Sequence, residues 1–382
     1  MTGALACELA YRQPAAARNR PGPFIWASPA LETQKSYAAM SGPLDHTTPP
    51  ARDHIIPPTM RAIVQDRYGS AGVLKTASIP TPVAGEGEVL IRVQAAGVDR
   101  GVWHLMVGEP YLIRAAGFGL RAPKTRVPGL DVAGYVAATG VGVTGFRLGD
   151  AVFGTGKGAY AEYACAPAAK LAPKPPGLGF VPAAALAISG CTALQGLRAG
   201  GELRPGQKVL ILGAGGGVGT YAVQLAKFFG AHVTGVCSAA KHALVRALGA
   251  DAAIDYARED VTAGAVRYDL ILDLAGNRPL SRLRRVLTAK GTLVLAGGEK
   301  GGKWLGGLER NLQMLAVAPF TGQKLRGLLA TERREDLVTL AELVVAGKIT
   351  PVIERTFPLA GTADAIRHLE SGRAQGKIVV TV

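Results

Sequence analysis

The chain has 382 residues, a formal net charge of +15, 48% hydrophobic and 6% aromatic side chains, and four cysteines. This length leaves room for two ordinary domains with buried cores. No run of about eighteen uncharged apolar residues occurs, so no membrane-spanning helix is expected. Cys7, Cys165, Cys191 and Cys237 are too scattered for a disulfide framework and suit reduced thiols in a cytoplasm.

Residues 1–59 are rich in Ala, Pro, Ser and Thr and keep no period of 2 or 3.6, which predicts a disordered extension. Glu8 and Arg12 interrupt any secretory core, and Phe24-Ile25-Trp26 is too short to be one. Met60, where fold-like sequence begins, is a candidate translation start. The extension holds five basic and four acidic residues, so the positive excess belongs to the remainder. Arg278, Arg282, Arg284, Arg285 and Lys290 cluster on one expected helix, and Arg114, Arg121, Lys124 and Arg126 on one loop. No aromatics are interleaved for base stacking, so solvated faces that attract a phosphate-rich cofactor are a better reading than nucleic-acid binding.

Lys208–Leu212 is an apolar run that enters Gly213-Ala214-Gly215-Gly216-Gly217-Val218-Gly219-Thr220, followed by a helical pattern over Tyr221–Phe229. Residues without Cβ let backbone N–H groups approach a pyrophosphate, and the helix N-terminus adds partial positive charge. A strict G-x-G-x-x-G read from Gly213 puts its third glycine at Val218 and fails. Read as Gly213, Gly216 and Gly219, the turn keeps its tight bend and close packing.

Beyond the glycines the chain alternates. Strands are expected at His232–Cys237, Ala252–Tyr256, Asp269–Leu274 and Thr292–Ala296, with helices at Ala239–Leu248 and Arg278–Leu287. That order implies right-handed crossovers and a doubly wound parallel sheet, with a dinucleotide across the carboxyl ends of its strands. Ala275, Gly276 and Gly297 then sit at strand ends where small residues let a cofactor lie close. Val236-Cys237-Ser238-Ala239-Ala240-Lys241 has no carboxylate to hold an adenosine ribose and repel a 2′-phosphate. Ser238 and Lys241 instead suit a phosphate, which points to NADPH.

Further matches run in order along residues 60–382: Met60-Arg61-Ala62-Ile63-Val64, Gly87–Val93, Pro128–Gly134, Gly149–Gly154, Gly158–Tyr163, Thr192–Gln195 and Gln375–Val380. With them the chain resembles the zinc-independent members of the medium-chain dehydrogenase/reductase superfamily, close to the quinone oxidoreductases. The resemblance implies an α/β fold in which a Rossmann-type sheet, about 183–328, is inserted into a GroES-like β-barrel formed by 60–182 and completed by 329–382. It also implies a homodimer. Its cofactor contacts carry over to Thr192 at the nicotinamide ribose or phosphate, Val218 at the pyrophosphate beside Gly213, Gly216 and Gly217 of the turn, Tyr256 at the 2′-phosphate end, and Gly376 with Lys377 at the nicotinamide edge.

Zinc-dependent relatives use a Cys and a Gly-His-Glu segment, where this chain has Gly129-Leu130-Asp131, and no cysteine has a near neighbour. His46 and His104 are unaccompanied, so no metal is expected. Without a Lewis acid, hydride transfer to a quinone or α,β-unsaturated carbonyl, which yields a delocalised anion, asks less of the site than transfer to a saturated ketone. The segment after the second strand lines the nicotinamide cleft in this family, and its Val-Asn pair matches Val98-Asp99. A carboxylate donates only when protonated, so Asp99 is read as orienting a water or His104. Tyr111 is read either as a hydrogen-bond donor to substrate or as a packed loop aromatic, and Trp103 as an apolar wall. Asp99, His104 and Tyr111 are the catalytic candidates. A zinc-free alcohol or aldehyde reductase and a non-catalytic NADPH-binding sensor are the alternatives.

Overall fold

The computed structural model describes residues 55–297, 302–304 and 306–382. The disordered-tail reading, with Cys7 and His46, therefore lies outside the described residues for positions 1–54. Its last residues need correcting, because β1 (Thr59–Val64) already starts at Thr59, opposite Pro80 of β2 (Lys75–Pro80). Thr81 also donates from its amide to the Pro58 carbonyl at 3.0 Å and from its hydroxyl to the Pro57 carbonyl at 2.6 Å.

The next strand, β3 (Glu88–Val98), is buried at most positions on both faces and leads into α1 (Arg100–Val107). It pairs with β4 (Asp131–Thr139) and with β6 (Tyr163–Pro167). β5 (Ala151–Thr155) and β7 (Leu171–Pro173) extend the sheet beyond β4. A helix follows, α2 (Ala187–Gln195), and then β8 (Lys208–Leu212) and α3 (Gly217–Phe228).

Six strands make the second sheet: β8, β9 (His232–Cys237), β10 (Ala252–Asp255), β11 (Tyr268–Asp273), β12 (Leu287–Leu295) and β13 (Lys324–Gly327). Their order is β10-β9-β8-β11-β12-β13, every pairing parallel. In chain order this is 3-2-1-4-5-6, which reverses direction between β8 and β11 and opens a crevice there. After β12 comes α4 (Leu308–Val317). The chain then returns to the first sheet, adding β14 (Ile353–Pro358) and β15 (Lys377–Thr381) beside β3.

Burial explains these elements. β8 and β11 are apolar nearly throughout because helices cover both faces of a parallel sheet, whereas β14, exposed at most positions, lies at an edge. One core unites α2 and α3 with β8, β9 and β11 through Leu194, Ile211, Tyr221 and Leu272. A second fills the barrel around Ile91, Val132, Phe146 and Tyr160.

Several expected elements shift. α3 begins at Gly217 rather than Tyr221, since glycine is tolerated in the first turn. The helix expected at Arg278–Leu287 is shorter, Leu280–Arg285, because Pro279 precedes its first turn. The helix expected from Ala239 opens as a 3-10 turn, Ala239–Lys241, before an α-helix at His242–Ala247. The sixth strand, Lys-Leu-Arg-Gly, has too few apolar residues to be read from sequence. Among the described residues no helix is long and apolar enough to cross a membrane, and Cys165, Cys191 and Cys237 are free and buried.

Candidate active site

Gly213 ends β8 with φ +85°, a conformation that favours glycine, and its amide donates to the Val236 carbonyl at 3.0 Å. The amide of Gly216 turns back to the Gly213 carbonyl at 3.1 Å, and Gly216 caps α3. A Cβ on Gly219 would lie 2.2 Å from the Gly213 carbonyl oxygen, so only glycine lets the helix approach the strand this closely. The missing third glycine of the strict fingerprint is thus supplied one residue later, and Val218 packs partly buried between. First-turn amides of a helix have no partner four residues back, and α3 starts five residues after β8, the strand that borders the crevice.

At the end of β9 the residues read as a phosphate site converge. Tyr256, 55% exposed, donates its amide to the Cys237 carbonyl at 3.3 Å, which sets it beside Ser238. The Lys241 side chain lies against the turn, with its Cδ 2.7 Å from where a Gly215 Cβ would be. Its ammonium donates to the Ala374 carbonyl at 2.5 Å, and burial holds its pKa below the usual lysine value.

At the end of β11 stands a residue that sequence reading missed. Asp273 has no exposure, and its Oδ1 accepts from the amides of Ala275 at 3.2 Å and Gly276 at 2.9 Å. Its Oδ2 accepts from Arg310 of α4 at 2.7 Å, and Arg310 also donates to the Arg278 carbonyl at 2.9 Å. Gly297 abuts the same turn, where a Cβ would sit 2.1 Å from the Leu274 carbonyl oxygen. An acid closing the apolar run Leu270-Ile271-Leu272 was the available signal.

The other wall comes from the first sheet. Gly376, at φ +79°, forms a parallel bridge with Gly216 and donates its amide to the Gly215 carbonyl at 3.2 Å. Lys377 beside it is 1% exposed, and its ammonium donates to Oδ2 of Asp131 at 3.1 Å. The ammonium is therefore committed, and the methylene chain faces the turn, with Cδ 3.1 Å from a Cβ placed on Gly217. Oδ1 of Asp131 accepts from the Ile188 amide at 3.0 Å. Burial pushes the Asp131 carboxyl up to about 7, against the pull of Lys377 and with a further push from Asp99. Thr192, one turn into α2, donates its hydroxyl to the Ile188 carbonyl at 2.7 Å.

Asp99 is the N-cap of α1: its Oδ1 accepts from the Val102 amide at 3.0 Å, while its buried Oδ2 has no partner. His104 instead sets Nδ1 against the Glu109 carbonyl at 2.9 Å. The expected Asp99–His104 contact does not form, because five positions along a helix turn a side chain roughly 140° away. Trp103 is partly buried and donates Nε1 to Glu370 at 2.8 Å. Tyr111 is held by its amide, which donates to the Lys303 carbonyl at 2.7 Å, and by an edge contact with Trp304 at 5.3 Å. Among the described residues its hydroxyl has no partner.

A family model described as "Alcohol dehydrogenase GroES-like domain" matches residues 85–176, and one described as "Zinc-binding dehydrogenase" matches residues 248–380. The chloroplastic quinone-oxidoreductase QR1 of Triphysaria versicolor is 34% identical over 84% of this chain and 98% of its own length. The NADPH-dependent alkenal/one oxidoreductase of Arabidopsis thaliana, also chloroplastic, is 33% identical over 86% of this chain and 81% of its own. The chain belongs to the medium-chain dehydrogenase/reductase superfamily, in its quinone oxidoreductase-like branch. The solved quinone oxidoreductase of Coxiella burnetii superposes with a TM-score of 0.74 at 31% identity, covering 85% of this chain and 99% of that one. This medium-chain reductase is accordingly an α/β protein with a GroES-like domain and a Rossmann-like parallel sheet, an oxidoreductase that uses a nicotinamide cofactor.

Proposed function

We propose that the protein is an NADPH-dependent, zinc-independent reductase that delivers hydride to a quinone or an α,β-unsaturated carbonyl. The observation that carries this reading is the commitment of Asp131. It stands where zinc-dependent relatives have their Gly-His-Glu segment, and it is fully buried and paired with Lys377 at 3.1 Å. Among the described residues no group of three or more His, Cys, Asp or Glu could hold a metal ion. That the described donors are committed or scattered supports a metal-free mechanism.

The residues fit the cofactor. Gly219 leaves space that a Cβ would close, Gly213 takes the positive φ of +85° that the turn needs, and Gly216, Gly217 and Val218 would present first-turn amides to a pyrophosphate. Ser238, Lys241 and Tyr256 would hold the 2′-phosphate, with Ala275 and Gly297 under the ring system and Gly376 and Thr192 at its nicotinamide end. When bound, NADPH supplies the hydride. Tyr111 then donates its hydroxyl to the substrate oxygen as negative charge builds there, and partly buried Trp103 bounds the apolar side of the cleft. His104, with Nδ1 at the Glu109 carbonyl, keeps Nε2 for proton exchange.

The test is NADPH consumption with quinones, enones and matched saturated ketones, with and without chelator. Chelator-resistant turnover of enones and quinones ahead of the ketones is expected. Comparable kcat/KM for an enone and its saturated ketone would transfer the assignment to an alcohol dehydrogenase, and NADPH binding without any turnover to a sensor.

A further inference from the structure

We propose that Arg114 is a positioning residue for this reaction: its guanidinium clamps the Tyr111 ring to the carboxyl end of α1, so that the phenol and the helix bearing His104 keep one relative placement. The proposal rests on the reading of Tyr111 as donor to the substrate oxygen.

Two sets of contacts meet on one planar group. Nε of Arg114 donates to the Gly108 carbonyl at 2.8 Å and Nη2 to the Val107 carbonyl at 3.2 Å. These carbonyls close α1, where Gly108 takes φ +66° and its amide returns to the His104 carbonyl at 2.9 Å. A cation at a helix carboxyl end satisfies orphan acceptors and meets the favourable end of the dipole. The guanidinium also packs over the Tyr68 ring at 4.3 Å and the Tyr111 ring at 4.7 Å. Tyr68 is itself fixed, its hydroxyl donating to the Gly119 carbonyl at 2.6 Å.

No side chain could replace Gly108 here, since a Cβ would lie 2.6 Å from both Arg114 Nε and Tyr68 Cδ1. Tyr111 is thus held on one side by Arg114 and on another by Trp304, with its backbone tied to Lys303, while its hydroxyl has no partner among the described residues. A donor fixed before substrate arrives loses little freedom in the transition state. A cation over the ring also stabilises the charge that gathers on the phenol oxygen as it donates. Lysine offers neither a fork for two carbonyls nor a plane for two rings.

The experiment is a double-mutant cycle in the full chain with NADPH and 1,4-benzoquinone, using Arg114→Met, Tyr111→Phe and the pair. Arg114→Met should lower kcat about tenfold, the scale of a misplaced reacting group, with NADPH Kd within about twofold. It should add little further loss in the Tyr111→Phe background, and Arg114→Lys should not rescue turnover. If Arg114→Met does not fold, Arg114→Lys carries the same cycle. Wild-type kcat in the Arg114 variants, or losses that multiply in the pair, would overturn the proposal while leaving Tyr111 as donor. An unimpaired Tyr111→Phe would overturn the donor reading and the proposal together.

Discussion

Lys377 donates to Asp131 across 3.1 Å, and neither side chain is more than 1% exposed, although 246 positions separate them in sequence. The pair joins β15 to the start of β4 and, through the Ile188 amide, to α2. It lies directly behind the Gly216–Gly217 turn, so it sets where the two walls of the crevice meet.

Removing one partner should therefore be costly. Lys377→Met leaves a buried carboxylate without its counter-ion, and a loss of about 3–5 kcal/mol is expected in denaturant unfolding. Lys377→Met combined with Asp131→Leu should recover much of it. A pair that proved no more stable than Lys377→Met alone would show that packing, not charge, dominates.

The same residue predicts a pH dependence. The folded carboxyl of Asp131 titrates at about 7, raised mainly by burial, whereas an unfolded aspartate titrates near about 4. Between those values the folded state holds a proton that the unfolded chain has released. Its contribution to stability is thus fully present below about pH 4 and is lost as pH rises through about 7. Lys377, Asp99, Tyr160, Cys191 and Tyr221 are the titratable groups facing it. Unfolding free energies at pH 5 and pH 8 should fall more steeply for wild type than for Asp131→Asn. Parallel curves would refute the assignment.

How much was legible beforehand follows from which forces act locally. β8 and β9 match the sequence reading residue for residue, because both are apolar runs stopped by turn residues and buried on both faces. The glycine roles were legible as a need for a tight turn: the sequence already reads Gly213, Gly216 and Gly219 together, and the close approach at Gly219 agrees with that reading. Asp273 and Arg310 escaped notice, and Asp131 was seen only as standing in place of a zinc-ligand segment and not as the partner of Lys377, since nothing local announces a partner that topology brings in from elsewhere. Asp99 was seen as a cleft residue, yet its position before Arg100–Val107 is that of an N-cap, a signal present in the sequence and passed over.

Asp273 and Arg310 carry a prediction of their own. The carboxylate has no exposure and holds the Ala275 and Gly276 amides, so it shapes the turn proposed to lie under the cofactor. Arg310→Met should destabilise the fold by about 3–5 kcal/mol and weaken NADPH binding as the turn loosens. Calorimetric titration of the variant checks this, and unaltered affinity in a folded variant would confine Arg310 to a structural role.

Cofactor choice tests the β9 end. NADPH should bind at least about tenfold more tightly than NADH, about 1.4 kcal/mol. Lys241→Ala should remove most of that difference, while leaving NADH affinity within about twofold. Equal affinities in wild type, or indifference to Lys241→Ala, would mean that the ammonium stays on the Ala374 carbonyl and never meets a phosphate.

Where the fold begins can be measured by truncation. A chain starting at Met60 loses Thr59 from its pairing with Pro80 and both hydrogen bonds that Thr81 makes to Pro57 and Pro58. Each bond contributes about 0.5–1.5 kcal/mol, so the Met60 chain should be less stable by about 1–3 kcal/mol than one starting at Ile55. The loss should fall on β1 and β2, far from the glycine turn, and leave NADPH affinity unchanged. Thermal unfolding of the two chains side by side decides the matter, and equal melting temperatures would return the boundary to Met60.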